Sequence, residues 1–134
     1  MFIEKFMPRF SDTDALGHIN NTRVPVWFEG ARLPIFSIFM PELNVKEWKL
    51  ILAKIDVTFL AQMYFGKELE VRTSISRIGG ASFDVHQEIW QEGHKCASGT
   101  AVMVHFCHQK QGSVKIPDEI KEALQQHLTP GLSD

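Results

Sequence analysis

The feature that most constrains the fold is one change of hydrophobic period near Trp48. Before it, apolar residues recur at steps of three and four, as in a helix with one buried stripe. The stripe comprises Val24, Phe28, Ala31, Ile35 and Ile38. After it, apolar and polar residues alternate, as along strands that bury one face. We therefore expect one helical region packed against one sheet, because no other apolar helix is large enough to cover that sheet.

The alternating part divides into four segments joined mostly by short turns. The first segment alternates over Ala53–Phe59. The second places Leu69, Val71, Thr73 and Ile75 on one face, and the third places Phe83, Val85, Gln87 and Ile89 on one face. The fourth segment is Cys96 to Cys107. Gly79-Gly80 and Gln91–His94 are typical hairpin turns, and short links of this kind require antiparallel pairing. The fourth segment is apolar on both faces, which predicts a central strand covered on each side.

Prolines indicate where the helices start, break and end. Pro25 fits a first helical turn, whereas Pro34 falls inside the pattern and predicts a kink or break. Pro41 ends the pattern, and Pro117 precedes a short C-terminal helix whose first turn contains Asp118-Glu119. The sequence predicts a single α+β domain over residues 1–134, with a long helix against an antiparallel sheet of about five strands.

Charge, hydropathy and cysteine content exclude several classes of function. The net charge is −2 with no basic run, which argues against nucleic-acid binding. Apolar segments are interrupted before the roughly 20 residues that a membrane helix needs, and the first residues do not resemble a signal peptide. Two cysteines are too few for a disulfide framework. We expect a cytoplasmic protein without nucleic-acid or membrane partners.

The strongest chemical pattern lies just before the helix. Asp12 and Asp14 stand two residues apart, a Gly17-His18 bend follows, and Asn20-Asn21 opens the helix. The first N–H groups of a helix lack internal partners and carry the positive end of its dipole. They can therefore hold an oxyanion while a nearby carboxylate attacks a carbonyl or activates water.

These residues also have structural interpretations. Aspartates are common in turns and helix entrances, and Asn20, Asn21 or Thr22 is expected to be the N-cap of the helix. Paired acids also hold Mg²⁺ in phosphoryl-transfer sites, but those need further acids and a larger parallel core. His18 is a candidate general base, substrate contact or cap. His105 and His108 point to opposite faces of a strand and cannot share one ion, so we predict no metal site and no cofactor.

From about Glu4 to about Leu124, the chain resembles a known family, the hotdog-fold acyl-CoA thioesterases, in their 4-hydroxybenzoyl-CoA thioesterase-like branch. The resemblance rests on Asp12-Thr13-Asp14-x-x-Gly17-His18-Ile19-Asn20-Asn21, Trp27-Phe28-Glu29-x-Ala31-Arg32, Ile55-Asp56-Val57-x-Phe59-Leu60-Ala61, Phe65-Gly66-Lys67-Glu68-Leu69, Ser82-Phe83, Ala97-x-Gly99 and Ile116-Pro117-Asp118-Glu119. It implies a hotdog fold, in which a long helix is wrapped by an antiparallel sheet. It further implies a homodimer or homotetramer with active sites between subunits.

The resemblance also implies a reaction, the hydrolysis of an acyl-CoA thioester. Asp14 would be the catalytic acid, either as nucleophile or as general base, with Asp12 in support. Oxyanion donors would be backbone N–H groups between Gly17 and Asn21. Some members carry aromatic residues where this chain has Asn20 and Asn21, which favours aliphatic over aromatic acyl groups. A thiolate leaves with little help from a general acid, so a carboxylate and backbone oxyanion donors are sufficient for this reaction.

Coenzyme A is anionic, so a local cationic patch is expected to bind it. The candidates are Arg77, Lys54 and Arg72, with Ser82 resembling a position near the nucleotide in relatives. Each is also interpretable as a solvated surface residue. A non-catalytic acyl-CoA-binding module of the same fold is the alternative function, although it would be expected to lack Asp14. A hotdog hydratase would need a different histidine-containing loop.

Overall fold

The strands form one antiparallel sheet, against which the helices pack. The computed structural model describes residues 1–129, so the last five residues of the predicted domain lie outside it. The strands are β1 (Phe2–Phe6), β2 (Leu50–Phe59), β3 (Leu69–Ile78), β4 (Ser82–Gln91), β5 (His94–Cys107) and the two-residue β6 (Gly112–Ser113). The first five lie in the order β1-β3-β4-β5-β2, and β6 pairs with β5. The predicted antiparallel sheet of about five strands is confirmed.

The helical region consists of two short helices instead of one long helix. They are α1 (Arg23–Ala31) and α2 (Leu33–Phe39), and a third helix, α3 (Asp118–Gln125), follows the sheet. The helix is interrupted at Arg32 because Pro34, in the first turn of α2, has no N–H to continue the helical hydrogen bonds. The predicted break is confirmed. No helix among residues 1–129 combines the length and apolarity required to span a membrane.

One face of the sheet, the inner face, packs against the helices through two apolar clusters. The site-end cluster lies around α1 and contains Ile19, Val24, Phe28, Ala31, Met63, Leu69, Val71, Ile89, Cys96 and Ala97. The far-end cluster lies around α2 and α3 and contains Ile35, Phe36, Phe39, Met40, Leu50, Ile75, Phe83, Val85, Ala101, Met103, Ile116 and Leu124. The predicted helical stripe is buried from Val24 to Ile35, while Ile38 is half-buried.

The prediction that β5 is covered on both faces is wrong for its second half. Ala101 and Met103 on the inner face are buried, whereas Thr100, Val102 and Val104 on the outer face are only half-buried. The reason is that α1 and α2 pack on the inner face alone. An apolar run therefore does not by itself establish that both faces of a strand are covered.

Strand β2 lies at an edge of the sheet, and part of its inner face is open. Leu52, Ile55 and Phe59 pair with inner-face residues of β5 but remain 42%, 39% and 50% exposed. A register shift between Leu52 and Lys54 keeps these apolar side chains in phase. This edge combines unpaired backbone groups with exposed apolar side chains, a pattern typical of a surface that pairs with another chain.

Candidate active site

The segment before α1 is a tight loop held against the connection that follows β2. The Asp14 N–H donates to the His18 carbonyl at 2.8 Å, and the Ile19 N–H donates to the Met63 carbonyl at 2.8 Å. Gly17 adopts a φ of +80° at the bend, a conformation that glycine reaches without strain. The loop therefore has one defined shape, fixed by backbone bonds on both sides.

Asp12 stabilises this loop through hydrogen bonds and an ion pair. It is 8% exposed, and its carboxylate accepts the Arg9 N–H at 2.7 Å and lies 3.3 Å from Arg23 Nε at the start of α1. Its carbonyl accepts the Asn20 N–H at 2.7 Å. Asp12 thus fixes both ends of the loop, and both of its carboxylate oxygens are engaged.

Asp14 is held differently, because one of its oxygens is left open. Oδ1 accepts the Leu16 N–H at 2.9 Å and the His18 N–H at 3.2 Å. Oδ2 receives no hydrogen bond from residues 1–129. The side chain is half-buried. The turn-forming interpretation of this residue is therefore correct for one oxygen, and the other oxygen is available to attack or to accept a proton.

The N-cap of α1 is Thr22, one of the three residues that the sequence offers for this position, and its side chain makes no capping hydrogen bond. Asn20 lies two residues earlier, and its Oδ1 accepts the Thr22 N–H and the Thr22 hydroxyl, each at 2.9 Å. The N–H groups of Arg23 and Val24 donate to the carbonyls of Asn20 and Asn21 at 3.0 and 3.2 Å. Asn20 therefore stabilises the turn that leads into the helix and is not itself the N-cap.

The Asn21 N–H is the exception in this segment. From Gly17 to Val24, every other backbone N–H donates to a partner, whereas that of Asn21 has none within the described part of the chain. Helix-entrance N–H groups without partners are where anions and developing oxyanions bind. Among the N–H groups from Gly17 to Asn21 that the sequence analysis offers as oxyanion donors, that of Asn21 alone has no partner in the described residues.

The His18 ring packs against Tyr64. The two rings meet edge to face with centroids 5.4 Å apart, and the ring nitrogens make no hydrogen bond to any described residue. Tyr64 is in turn held by Gln91, whose amide accepts the Tyr64 N–H and donates to the Tyr64 carbonyl, both at 2.9 Å. Sequence reasoning missed Gln91, because a glutamine at a strand end is indistinguishable from a turn residue by pattern.

A cleft of about 480 Å³ opens beside the helix entrance. Its lining is about evenly polar and apolar, and comprises Ile19, Asn21, Phe59, Leu60, Ala61, Gln62 and Met63. Asn21, whose N–H is unpaired, is one of these lining residues. A cleft that combines apolar side chains with a few polar groups is typical of a small-molecule site.

Two of the four candidate coenzyme A residues lie together. Arg77 Nη2 donates to Ser82 Oγ and to Asp84 Oδ1, both at 2.9 Å, near the turn between β3 and β4. The hydrogen bond to Asp84 raises the pKa of Arg77, against the opposing effect of burial. This arginine is already paired with an acid, which lowers its net attraction for a phosphate.

The other two candidates lie elsewhere on the outer face. Arg72 pairs with Glu70 and stacks 4.1 Å from the Trp90 ring. Lys54 is exposed on β2 and has no ion pair among residues 1–129. The structure therefore does not bring the four predicted residues into one cationic patch.

Possible metal ligands are dispersed. No group of three or more histidine, cysteine or acidic side chains in the described residues could hold an ion. His105 is 8% exposed, with Nδ1 3.1 Å from the Lys115 carbonyl, while His108 packs edge to face on Phe106. The two histidines have separate surroundings.

Comparisons with known proteins agree on one family. The model of the thioesterase-like superfamily matches residues 8–124. The chain is 42% identical to a predicted thioesterase from Bacillus stearothermophilus, with a TM-score of 0.93 over 96% of this chain and 97% of that one. It is 25% identical to a thioesterase from Thermus thermophilus complexed with coenzyme A and Zn, with a TM-score of 0.81 over 92% and 96%. The protein YsmA of Bacillus subtilis (strain 168) is 30% identical, covering 92% of this chain and 84% of YsmA.

Proposed function

The chain belongs to the thioesterase-like superfamily, and from this premise we propose that it hydrolyses acyl-CoA thioesters through Asp14 and the Asn21 N–H. The observation that carries the proposal is the pairing of one open carboxylate oxygen with one unpaired helix-entrance N–H in the same short loop. The carboxylate supplies the nucleophile or base, and the N–H stabilises the oxyanion.

The reaction balances with these two groups and water. On one route, Asp14 Oδ2 attacks the thioester carbon, the C–S bond breaks, coenzyme A leaves as thiolate, and water hydrolyses the resulting mixed anhydride. On the other route, Oδ2 takes a proton from water as that water attacks, and the C–S bond breaks from the tetrahedral intermediate. In both routes the Asn21 N–H donates to the carbonyl oxygen as charge develops on it.

The open cleft supports an acyl-binding role. Phe59, Leu60 and Met63 in its lining suit contact with a hydrocarbon chain, and Asn21 lines the same cleft, so the thioester carbonyl would lie at the Asn21 end. Coenzyme A would extend outward from this point. A thioesterase from Thermus thermophilus that binds coenzyme A shares the fold, which supports coenzyme A as the thiol half of the substrate.

The β2 edge supports assembly with a second copy of the chain. Its exposed Leu52 and Ile55 lie on the inner face, where the helices of the same chain do not reach them. A two-fold pairing of β2 edges would bury them and satisfy the free backbone groups. Sedimentation of the native chain as a dimer or tetramer, and of Ile55→Lys as a smaller species, would support this arrangement. A monomeric native chain would contradict it.

The test of the activity is release of free thiol from a panel of aliphatic and aromatic acyl-CoAs. We expect hydrolysis of at least one, and Asp14→Asn should lower kcat by about 1,000-fold or more, because it removes the attacking or proton-accepting oxygen. Asp118→Asn, an exposed acid on α3, is the matched control and should retain activity. Unchanged kcat in Asp14→Asn contradicts the assignment. Tight binding without hydrolysis would favour a non-catalytic acyl-CoA-binding module.

A further inference from the structure

A polar layer crosses the inner face between the two apolar clusters. Thr73 on β3, Gln87 on β4 and Gly99 on β5 are cross-strand neighbours. Cluster residues flank them on every strand, namely Val71 and Ile75, Ile89 and Val85, and Ala97 and Ala101. Thr73 and Gln87 are each 1% exposed. Hydrogen-bonding groups are thus buried at the centre of the sheet, beneath the break between α1 and α2.

Arg32 enters this layer from the helix break. It is 2% exposed, and its Nη1 donates to Gln87 Oε1 at 3.1 Å. No acid forms an ion pair with it among residues 1–129, and its Nε has no hydrogen-bond partner. Burial lowers the pKa of Arg32, with Glu29 opposing the shift. A buried cation held by one amide is costly, so the bond to Gln87 is a strong constraint on both side chains.

The guanidinium fixes which way the Gln87 amide faces. Arginine can only donate, so the oxygen of Gln87 must face it and the nitrogen must face away. Nε2 then donates to the Phe28 carbonyl at 2.8 Å and to Thr73 Oγ1 at 3.1 Å. A flipped amide would lose the bonds to Arg32 and Phe28 at once.

The Phe28 carbonyl loses its helical donor at the break between α1 and α2. In a continuous helix it would accept the Arg32 N–H, four residues later. Here the Arg32 N–H donates instead to the Glu29 carbonyl at 3.1 Å. Gln87 replaces the missing helical bond and thereby joins the end of α1 to the middle of β4.

Gly99 allows α1 to lie close to the sheet at this point. A Cβ at this position would collide with the Asp56 carbonyl and lie 3.3 Å from the Phe28 ring. The third member of the layer therefore leaves room for Phe28, next to the carbonyl that Gln87 binds. The position of α1 is fixed here by both a contact and a hydrogen bond.

We propose that Gln87 is a positioning residue for the thioesterase reaction, setting the position of α1 along its axis and so the aim of the Asn21 N–H. The inference rests on the proposed function. Phe28 lies five residues, about 7.5 Å, beyond Arg23, the first residue of α1, and the Val24 N–H of the helix donates to the Asn21 carbonyl at 3.2 Å. A shift of α1 along its axis is therefore passed to Asn21 through this bond and the two intervening peptide units. A displacement of about 1 Å at a catalytic group can cost about 100-fold in rate.

The test uses Gln87→Glu, which separates the two bonds of Gln87. Glutamate retains the acceptor for Arg32 and stays ionised beside it, but it presents oxygen instead of N–H to the Phe28 carbonyl. We expect kcat for the best acyl-CoA to fall by about 10- to 100-fold with KM changed by less than about threefold. Thr73→Val, which removes only the third contact, should stay within about twofold of native kcat.

Two further variants distinguish loss of folding from displacement of α1. Val85→Ala opens a cavity two residues along the same strand and should lower the melting temperature without lowering kcat per folded molecule. If Gln87→Glu does not fold, Arg32→Met with Gln87→Met removes the buried charge together with its partner, which preserves a foldable core. This double variant should show the same loss of kcat, because the Phe28 carbonyl again lacks its hydrogen-bond donor.

The outcomes distinguish this inference from the proposed function. Native kcat in both Gln87 variants would overturn it, while the loss in Asp14→Asn would leave the thioesterase assignment standing. If the native chain hydrolyses no acyl-CoA, the NMR shift of the Asn21 amide replaces the kinetic readout. That shift should move in the Gln87 variants and not in Val85→Ala, and an unmoved shift would overturn the inference.

Discussion

The site end and the far end of the inner face are built on the same strands but differ in what they leave open. At the far end, α2 and α3 cover the sheet, and the Phe39 ring stacks on Phe83 with centroids 5.3 Å apart. At the site end, apolar side chains remain exposed around Asp14, including Phe10 at 77% and Leu16 at 79%. One end is a closed core, and the other is a surface with exposed apolar side chains.

The difference extends to polar groups. In the far-end core, the ring of the buried His105 is hydrogen-bonded to a backbone carbonyl. At the site end, Asp14 Oδ2 and the Asn21 N–H have no partner among the described residues. Asn21 is exposed and Asp14 is half-buried, so these open groups are accessible to a ligand, whereas the buried ring of His105 is committed to the core. The far end should therefore determine stability, and the site end should determine rate.

The largest expected effect tests the far end. Phe83→Ala removes a side chain that is 0% exposed and stacked on Phe39. We expect the free energy of unfolding to fall by about 3–5 kcal/mol, since transfer and cavity costs add. Urea unfolding measures this loss. If kcat per folded molecule falls more than about twofold in the same variant, the two ends are not separable.

The next effect tests the site end through its backbone. Asn21→Pro deletes the unpaired N–H, which no described residue uses, so no internal hydrogen bond is lost. We expect kcat to fall by about 100-fold or more, the typical cost of losing an oxyanion donor. Thiol release under saturating substrate measures it.

The control for this variant is Asn21→Ala, which retains the N–H and removes only the side chain. It should remain within about tenfold of native kcat, because the donor is still present. Equal losses in the alanine and proline variants would assign the role to the side chain. A native rate in the proline variant would exclude this N–H as the oxyanion donor.

Much of this architecture is predictable because it depends on local pattern. The periods predict the strands and helices, Pro34 predicts the break, and the apolar stripe predicts the buried face of α1. The phase of β4 even places Gln87 with Phe83 and Val85, a polar residue in an apolar register. What it meets could not be predicted, because the contact with the Phe28 carbonyl depends on how α1 sits across the sheet.

For the candidate site, spacing indicates only the loop with Asp12 and Asp14 before the helix, and the family resemblance singles out Asp14 and the N–H groups from Gly17 to Asn21. Those roles remain predictions, and which N–H stays unpaired depends on the hydrogen bonds of every neighbour. Nor could spacing show that Glu70 neutralises Arg72 or that Asp84 neutralises Arg77, since those pairs depend on side-chain conformation and cross-strand register. The coenzyme A residues therefore remain a prediction.

A smaller effect is expected from the Asn20 side chain, which stabilises the turn before α1. Asn20→Ala removes the acceptor of the Thr22 N–H and hydroxyl and should cost about 1 kcal/mol of unfolding free energy. Because the variant leaves the Asn21 N–H in place, kcat should fall by less than about tenfold. Asn20→Asp retains the acceptor and should restore stability. A loss of kcat as large as that of Asn21→Pro would show that this turn and the oxyanion donor act as one unit.

The smallest effect is a pH dependence confined to the far end. His127 stacks on the Phe2 ring at 4.1 Å, and burial together with the N-terminal ammonium lowers the pKa of His127 below its ordinary value of 6.5. The unfolded chain therefore binds a proton more readily than the folded one. The stabilising contribution is present above that ordinary value and is lost as the pH falls toward the folded pKa. Between about pH 7.5 and 5.5, His127→Gln should lose less unfolding free energy than the native chain. Equal losses would show that this histidine titrates alike in both states, and the far end would then contribute its stability independently of pH.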